Sequence, residues 1–350
     1  MKRSHTRRAG FGLLVALSLL LAAEVGLRLI GFHYDKALSY MEFNFPRPHE
    51  LHQIFEPDPV LLWRLRPNYD FGQGFPRLNP QGFRGPDFAK LPAGVFRIAC
   101  LGDSVTFGRP EADFPTLLEQ KLAAAGPPAQ VLNFGVPGYS SYQGRRLLGR
   151  VLADCHPNLV IILFGWNDHW LAKGFPDAEQ HAAPSAAETW LAPLRQLRLY
   201  QFINHARAHL VGQAGQPTAG PPRPRVSPDQ YRANLLAMVE MCRQAGVTVI
   251  IATAPSGISS GKVPDYLVPL AFISDPSRLA VLHRQYNDLD RAAAREAGAT
   301  LCDLDAAFEA NGVAALFTDP AKDLIHPNAV GYAMMADRLA ECVQKVKIKK

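Results

Sequence analysis

Ile98-Ala99-Cys100-Leu101-Gly102-Asp103-Ser104-Val105-Thr106-Phe107-Gly108 is a short apolar run that breaks into Gly-Asp-Ser, and a helical pattern begins near Asp113. A strand that ends in a tight turn before a helix puts the turn residues at the carboxyl edge of a sheet, where open α/β folds bind ligands. A serine there can point its hydroxyl into a cleft, beside main-chain N–H groups. The same residues also suit an ordinary Gly-Asp turn with a surface serine, so the stretch alone does not choose.

Outward from this stretch the pattern alternates strands and helices. Strand candidates are Phe96–Leu101, Val131–Phe134, Leu159–Phe164, Val247–Thr253 and Thr300–Leu304. Helix candidates are Asp113–Ala125, Ser140–Asp154, Pro228–Ala245, Leu279–Ala297 and Ala329–Val346. Ser227 can cap its helix, Pro228 suits the first helical position and Gly246 the exit. Alternation of this kind predicts a parallel sheet with helices on both faces. Two stretches interrupt it, 171–226 and 255–278, and both fall at the carboxyl edge, where lid or partner roles fit. The first carries an amphipathic helix over about Trp190–Val211, followed by a Pro/Gly-rich run, Gly212–Pro224. His205 and His209 have an i,i+4 spacing that can bind metal. With no acidic partner nearby, they read as a solvated face.

Composition narrows the function classes. The chain has 350 residues, 48% of them hydrophobic and 19% charged, values of a globular protein. The net charge of +6 arises from basic clusters at the two ends, Lys2 to Arg8 and Lys345 to Lys350, and the body is mildly acidic. No nucleic-acid-binding face is expected despite the basic pI. The five cysteines, Cys100, Cys155, Cys242, Cys302 and Cys342, are scattered and lack metal-ligand spacing. They read as buried free thiols, with Cys100 and Cys302 on neighbouring core strands.

The N-terminus is basic over 1–10 and apolar from Phe11 to Phe32, a run of 22 residues. A membrane span needs about 20. Basic residues ahead of the run predict a cytoplasmic N-terminus and an extracytoplasmic, periplasmic or cell-exterior, body. A cleaved signal peptide competes, because the purely apolar part, Phe11–Ala23, has only 13 residues. Leu21-Ala22-Ala23 is a poor cleavage site, and Glu24 and Arg28 can pair at i,i+4 near the far interface, so an uncleaved signal anchor is the preferred reading. Residues 33–95 read as a stalk and an irregular arm packing on the core, with turns at Glu56-Pro57-Asp58-Pro59, Arg66-Pro67-Asn68 and Asn79-Pro80-Gln81-Gly82. Arg84 reads as a tie between a loop and a carboxylate; contact with an anionic substrate group is the alternative. The remaining 96–346 form the main α/β domain, with the insertions at 171–226 and 255–278.

Ser104 needs a base to become a nucleophile. Asp323-Leu324-Ile325-His326 precedes the last helix. An aspartate three residues before a histidine can meet it across one turn and hold the imidazole ready to accept a serine proton. Acyl transfer also needs donors for the oxyanion. The turn after the second strand, Asn133-Phe134-Gly135-Val136-Pro137-Gly138, contains a glycine whose N–H can approach a ligand. The turn after the third, Phe164-Gly165-Trp166-Asn167-Asp168, offers an asparagine side chain.

Together these four elements resemble the blocks of the SGNH/GDSL hydrolase family. Gly102-Asp103-Ser104 resembles the first block, with Val105 where leucine is usual. Gly135 stands for the second, Gly165-x-Asn167-Asp168 for the third, and Asp323-x-x-His326 for the last. The resemblance covers about Phe96–Val346. More weakly, Asn79…Gly82-Phe83-Arg84-Gly85 resembles membrane-anchored bacterial members. The resemblance implies a flavodoxin-like α/β/α sandwich with a parallel sheet of about five strands. It implies Ser104 as nucleophile, His326 as base, Asp323 as orienter, an oxyanion hole of Ser104, Gly135 and Asn167, and no metal or organic cofactor. Asp103 is then structural. The expected activity is serine ester hydrolysis through an acyl-serine, and an outward-facing anchored enzyme has O-acyl groups of envelope or secreted polysaccharide within reach. An O-acyltransferase using the same residues, or a non-catalytic scaffold module, are the competing expectations.

Overall fold

A computed structural model describes residues 2–34, 54–72, 74–92, 94–126, 129–172, 175–180, 190, 192–211, 221–258, 263–269 and 271–348. In chain order its main elements are α1 (Lys2–Leu29), β1 (Phe55–Asp58), β2 (Leu62–Leu65), β3 (Phe96–Gly102), α2 (Phe114–Ala125), β4 (Ala129–Gly135), α3 (Ser141–Cys155), β5 (Leu159–Leu163), α4 (Arg198–Val211), α5 (Pro228–Gln244), β6 (Thr248–Ala252), α6 (Leu279–Ala297), β7 (Thr300–Cys302), α7 (Leu304–Ala310) and α8 (Ala329–Ile348). They fall into two compact units: α1 with the segment around α4, and everything from β1 to α8 apart from that segment.

In the larger unit, five strands pair in parallel in the order β4-β3-β5-β6-β7. This is the flavodoxin-like order, in which the chain reverses direction across the first strand. The apolar runs form strands because both of their faces are buried, so alternate residues serve opposite layers. Ile98, Cys100, Leu159, Ile161, Leu163, Ile250 and Ala252 belong to a core with Phe114 and Leu118 of α2 and Met335, Leu339 and Val343 of α8. Helices α3, α5 and α6 pack side by side as the other layer. The result is an α/β/α sandwich whose switch point lies at the carboxyl end of β3, where Gly102 runs into Asp103-Ser104.

Helix boundaries follow local chemistry. Asp113 caps α2 by accepting from the Thr116 N–H at 2.9 Å, with Pro115 in the first turn. Ser227 and Gln230 form a reciprocal capping box ahead of α5. Gly298 ends α6 in the left-handed region at φ +65°.

The arm from residue 54 carries an antiparallel hairpin, β1 with β2. Asp58 receives two hydrogen bonds from Arg150 of α3, at 2.8 and 2.9 Å, and Tyr139 donates to the Trp63 carbonyl. Arg84 lies buried against Asp113 at 2.9 Å and donates to the Phe107 and Arg109 carbonyls. Of the stalk and arm expected over 33–95, residues 35–53 lie outside the described residues.

The 171–226 insertion is rooted in this unit by a Leu171–Pro224 bridge and by Arg225, which grips the buried Asp177 through Nε at 3.0 Å and Nη2 at 2.8 Å. Most of the Gly212–Pro224 run lies outside the described residues. In the smaller unit, α1 holds a stretch, Gly10–Leu29, long and apolar enough to cross a membrane.

Three expectations are corrected. Cys302 and Cys342 form a disulfide with Cα atoms 6.0 Å apart, while Cys100, Cys155 and Cys242 are free and buried. Their 40-residue separation hid a pairing that α8 creates by returning across β7. Cys100 and Cys302 are not on neighbouring strands, because β5 and β6 lie between β3 and β7. His205 is not on a solvated face: its ring packs edge-on against Phe32 and Tyr34. The His209 side chain lies outside the described residues.

Candidate active site

β3 delivers its last glycine into a crowded corner. A Cβ on Gly102 would lie 2.0 Å from Thr106 Oγ1 and 2.6 Å from the Leu163 carbonyl, so only glycine lets the strand turn here. Asp103 follows with no exposed surface and caps the one-turn helix Ser104–Phe107 by accepting from the Val105 N–H at 2.9 Å. Ser104 is thereby the first residue of a helical turn, half-buried at the carboxyl edge.

His326 reaches the same point from the loop before α8. Its Nε2 lies 2.8 Å from Ser104 Oγ, and its Nδ1 lies 2.9 Å from Asp323 Oδ2 and 3.1 Å from Oδ1. Donation of Nδ1–H to the carboxylate leaves Nε2 as an acceptor facing the serine hydroxyl. Asp323 Oδ1 also accepts from the Ile325 and His326 N–H groups, both at 3.0 Å. Burial pushes the Asp323 carboxyl up, but the hydrogen bond and charge of His326, with those two N–H groups, outweigh it and hold it at about 2. The carboxylate thus stays ionised beside the imidazole across the neutral range. The loop itself is tied by Gly257 N–H to the Leu324 carbonyl, so part of the 255–278 insertion supports it.

Asn167 stands in the one-turn helix Trp166–His169 after β5, and its Nδ2 donates to Asp103 Oδ2 at 3.2 Å. Asp103 therefore links the turn that bears Ser104 to the turn that bears Asn167, leaving one amide N–H of Asn167 uncommitted to Asp103. Burial lifts the Asp103 carboxyl to about 6, against the pull of the Val105 N–H, His326 and Asn167. Behind it, buried Asp168 accepts from the Ser141 N–H and hydroxyl and from the Gly165 N–H, which fixes the turn. Burial raises Asp168 to about 7 in spite of the Ser141 hydrogen bonds.

Gly135, the third donor expected for the oxyanion, lies against the Ser104–Phe107 turn. Its N–H already donates to Asn133 Oδ1 at 2.9 Å, and a Cβ there would lie 2.1 Å from the Phe107 nitrogen. The glycine exists so that β4 can press against the Ser104–Phe107 turn. Asn133 completes the brace, its Nδ2 donating to the Thr106 carbonyl at 2.9 Å. A buried amide in an apolar strand demands a partner, and that cost was the available signal for Asn133. Gly138, three residues beyond Gly135 in the same turn, has φ +82°. Arg109 was also missed: its Nη1 lies 3.3 Å from Asp323 Oδ2, across 214 residues of sequence, and nothing local announces the contact.

Chemically, the array can move a proton from a hydroxyl to an imidazole and keep the resulting cation next to a carboxylate. Among the described residues there is no cluster of His, Cys, Asp and Glu that could hold a metal ion. Several solved structures resemble the chain. They include a lipase/acylhydrolase from Enterococcus faecalis, with 17% identity, 71% of this chain and 94% of that chain covered, and a TM-score of 0.43. A GDSL-like lipase from Bacteroides thetaiotaomicron has 15% identity, covers 74% of this chain and 94% of that chain, and gives a TM-score of 0.44. A catalytic mutant of an acetylxylan esterase from Geobacillus stearothermophilus has 17% identity, with 73% and 96% coverage and a TM-score of 0.42. No curated protein matches the sequence. A family model described as GDSL-like lipase/acylhydrolase matches residues 100–334, from the middle of β3 to the first turns of α8. That span takes in both ends of the Ser104–His326 contact, and by it the chain belongs to the GDSL-like lipase/acylhydrolase family.

Proposed function

We propose that this hydrolase is a membrane-anchored serine esterase working outside the cytoplasm through an acyl-serine intermediate. The observation that carries the reading is the continuous line from Ser104 Oγ through His326 to Asp323. His326 Nε2 takes the hydroxyl proton as Oγ attacks the ester carbonyl. The tetrahedral adduct collapses, the alcohol leaves with that proton, and the acyl group stays on Oγ. Water then gives a proton to Nε2 as it attacks the acyl carbonyl, and the second adduct collapses by breaking the bond to Oγ, which takes that proton back from Nε2 as the acid is released. Asp323 stays ionised and orients the ring. The Ser104 N–H and the second amide hydrogen of Asn167 are the oxyanion donors. One such donor is typically worth about 3–4 kcal/mol in the transition state.

Three features support the location. The apolar span follows a basic segment. Glu24 and Arg28 pair at 2.7 Å near its end, which is compatible with an uncleaved anchor. The Cys302–Cys342 disulfide suits an oxidising compartment. An enzyme so placed meets O-acyl groups of envelope or secreted polysaccharide, the substrate class we assign on location.

The test is turnover of short-chain aryl esters and O-acetylated glycans by the wild type and by Ser104→Ala, with fluorophosphonate labelling of both. The wild type should label and turn over, and the variant should lose label and at least about 10³-fold in rate. Equal turnover by the variant removes Ser104 from the mechanism. Acyl transfer to excess glycan acceptor, in place of release of free acid, would make the enzyme a transferase.

A further inference from the structure

Gly10–Leu29 carries only two charged residues, Glu24 and Arg28. Glu24 Oε1 accepts from Arg28 Nε at 2.7 Å and from the Arg198 N–H at 3.1 Å, and Oε2 accepts from the Leu199 N–H at 2.8 Å. Arg198 and Leu199 open α4, and the first N–H groups of a helix have no partner of their own. A carboxylate of the apolar helix thus caps the helix of the 171–226 insertion, 174 residues away. Further ties join the two. Arg28 Nη2 donates to the Gln196 carbonyl at 3.1 Å, buried Gln201 accepts from the Tyr34 N–H at 3.1 Å, and Phe32 packs edge-on against Phe202.

Depth follows from these ties. A hydrocarbon core about 30 Å thick takes about 20 helical residues at roughly 1.5 Å each, and Gly10–Leu29 has 20. With its ends at the two boundaries, Glu24 lies five residues before Leu29, about 7 Å inside the edge. The amino end of α4 goes with it. Interfacial amphipathic helices sit about 5–10 Å into the headgroup and acyl boundary. The surface matches that depth. Trp190 is 84% exposed, Ile203 58%, Phe202 45%, and Leu194 and Leu197 about as much, on a segment tied to the equally bare Leu29 and Ile30. Residues 190–211 contain Arg195, Arg198 and Arg207 and no Asp or Glu, a charge that complements anionic headgroups.

We infer that Trp190 and 192–211 form an interfacial membrane element. It lies in the boundary layer of the same bilayer that α1 spans, with Trp190, Leu194, Leu197 and Ile203 exposed to the acyl region. The inference rests on the reading of α1 as a membrane anchor. It makes the insertion a second attachment, and it explains how Glu24 is tolerated in an apolar span.

Trp190 supplies the probe, because the other three tryptophans, Trp63, Trp166 and Trp170, are at most 3% exposed. The full-length chain is placed in vesicles of phosphatidylcholine and phosphatidylglycerol, with acyl chains brominated close to the headgroup. Part of the tryptophan emission should be quenched, and that quenched component should vanish in Trp190→Phe while turnover of a soluble aryl ester is unchanged. Alkaline carbonate extraction of the same vesicles separates the two readings. Release of the protein sinks the anchor and this inference with it. Retention, with equal quenching in both proteins or none in either, leaves the anchor standing and overturns the interfacial element.

Discussion

Asp103→Asn isolates what the buried aspartate does for the turn beside it. Asparagine caps a helix about as well as aspartate, so its oxygen can keep the Val105 N–H now held at 2.9 Å. Its other end becomes an NH₂ facing the Asn167 NH₂, where a carboxylate oxygen accepted at 3.2 Å. Two donors cannot bond, and Asn167 must turn away. The lost hydrogen bond to a charged group is worth about 1.5–3 kcal/mol. Relief of a carboxyl that burial has lifted to about 6 offsets much of that cost. Global stability should therefore change little. Activity should not be spared, because an oxyanion donor out of place costs about 10²–10³ in kcat. The assay is kcat on an aryl ester alongside urea unfolding for Asp103→Asn, Asn167→Ala and the double variant. If Asp103 acts through Asn167, the double variant should match Asn167→Ala to within about 0.5 kcal/mol. A folded Asp103→Asn enzyme with wild-type kcat would refute the positioning role, as would a double variant whose loss is the product of the two single losses.

Other substitutions probe the packing around the site. Gly135→Ala forces a Cβ to 2.1 Å from the Phe107 nitrogen and should cost at least about 3 kcal/mol of stability or abolish soluble protein; wild-type stability with lost turnover would return Gly135 to the oxyanion hole. Replacing both Cys302 and Cys342 by serine opens a loop with a sequence separation of 40, and a loss of up to about 4 kcal/mol in urea unfolding is expected, against no change if the thiols are free in the protein. Burial pushes His169 well below its usual value, and its Nε2 meets His283 Nδ1 at 3.2 Å. Such a histidine is neutral when folded and protonated when unfolded, so the wild type loses stability as pH falls below about 6.5. Relative to His169→Phe, the loss should steepen as pH falls below about 6.5, toward about 1.4 kcal/mol per pH unit; parallel stability curves would contradict the buried neutral state.

How much of this could be read along the chain depends on the range of the interaction. The apolar runs at 98–101 and 159–163 fill both sides of a strand, and Ser227, Pro228 and Gly246 act on neighbours within a turn. Their signals are local, and the alternation of strands and helices followed from them. Ser104, Asp323 and His326 were readable for the same reason, since each sits at the mouth of an element whose direction the pattern sets, and Asp323 and His326 are within one turn of each other. Chain order does not say which strand lies beside which, so the separation of Cys100 from Cys302 and the pairing of Cys302 with Cys342 came from the crossovers. The free energy of a polar group depends on what it faces after folding. That is why Gly135 proved to be a point of close contact whose N–H belongs to Asn133, and why Asp103 turned out to hold Asn167 as well as its own turn. Glu24 shows the same division at longest range. Its pairing with Arg28 was visible at i,i+4, whereas its capping of α4 exists only because the fold brings a loop helix to the end of the apolar span.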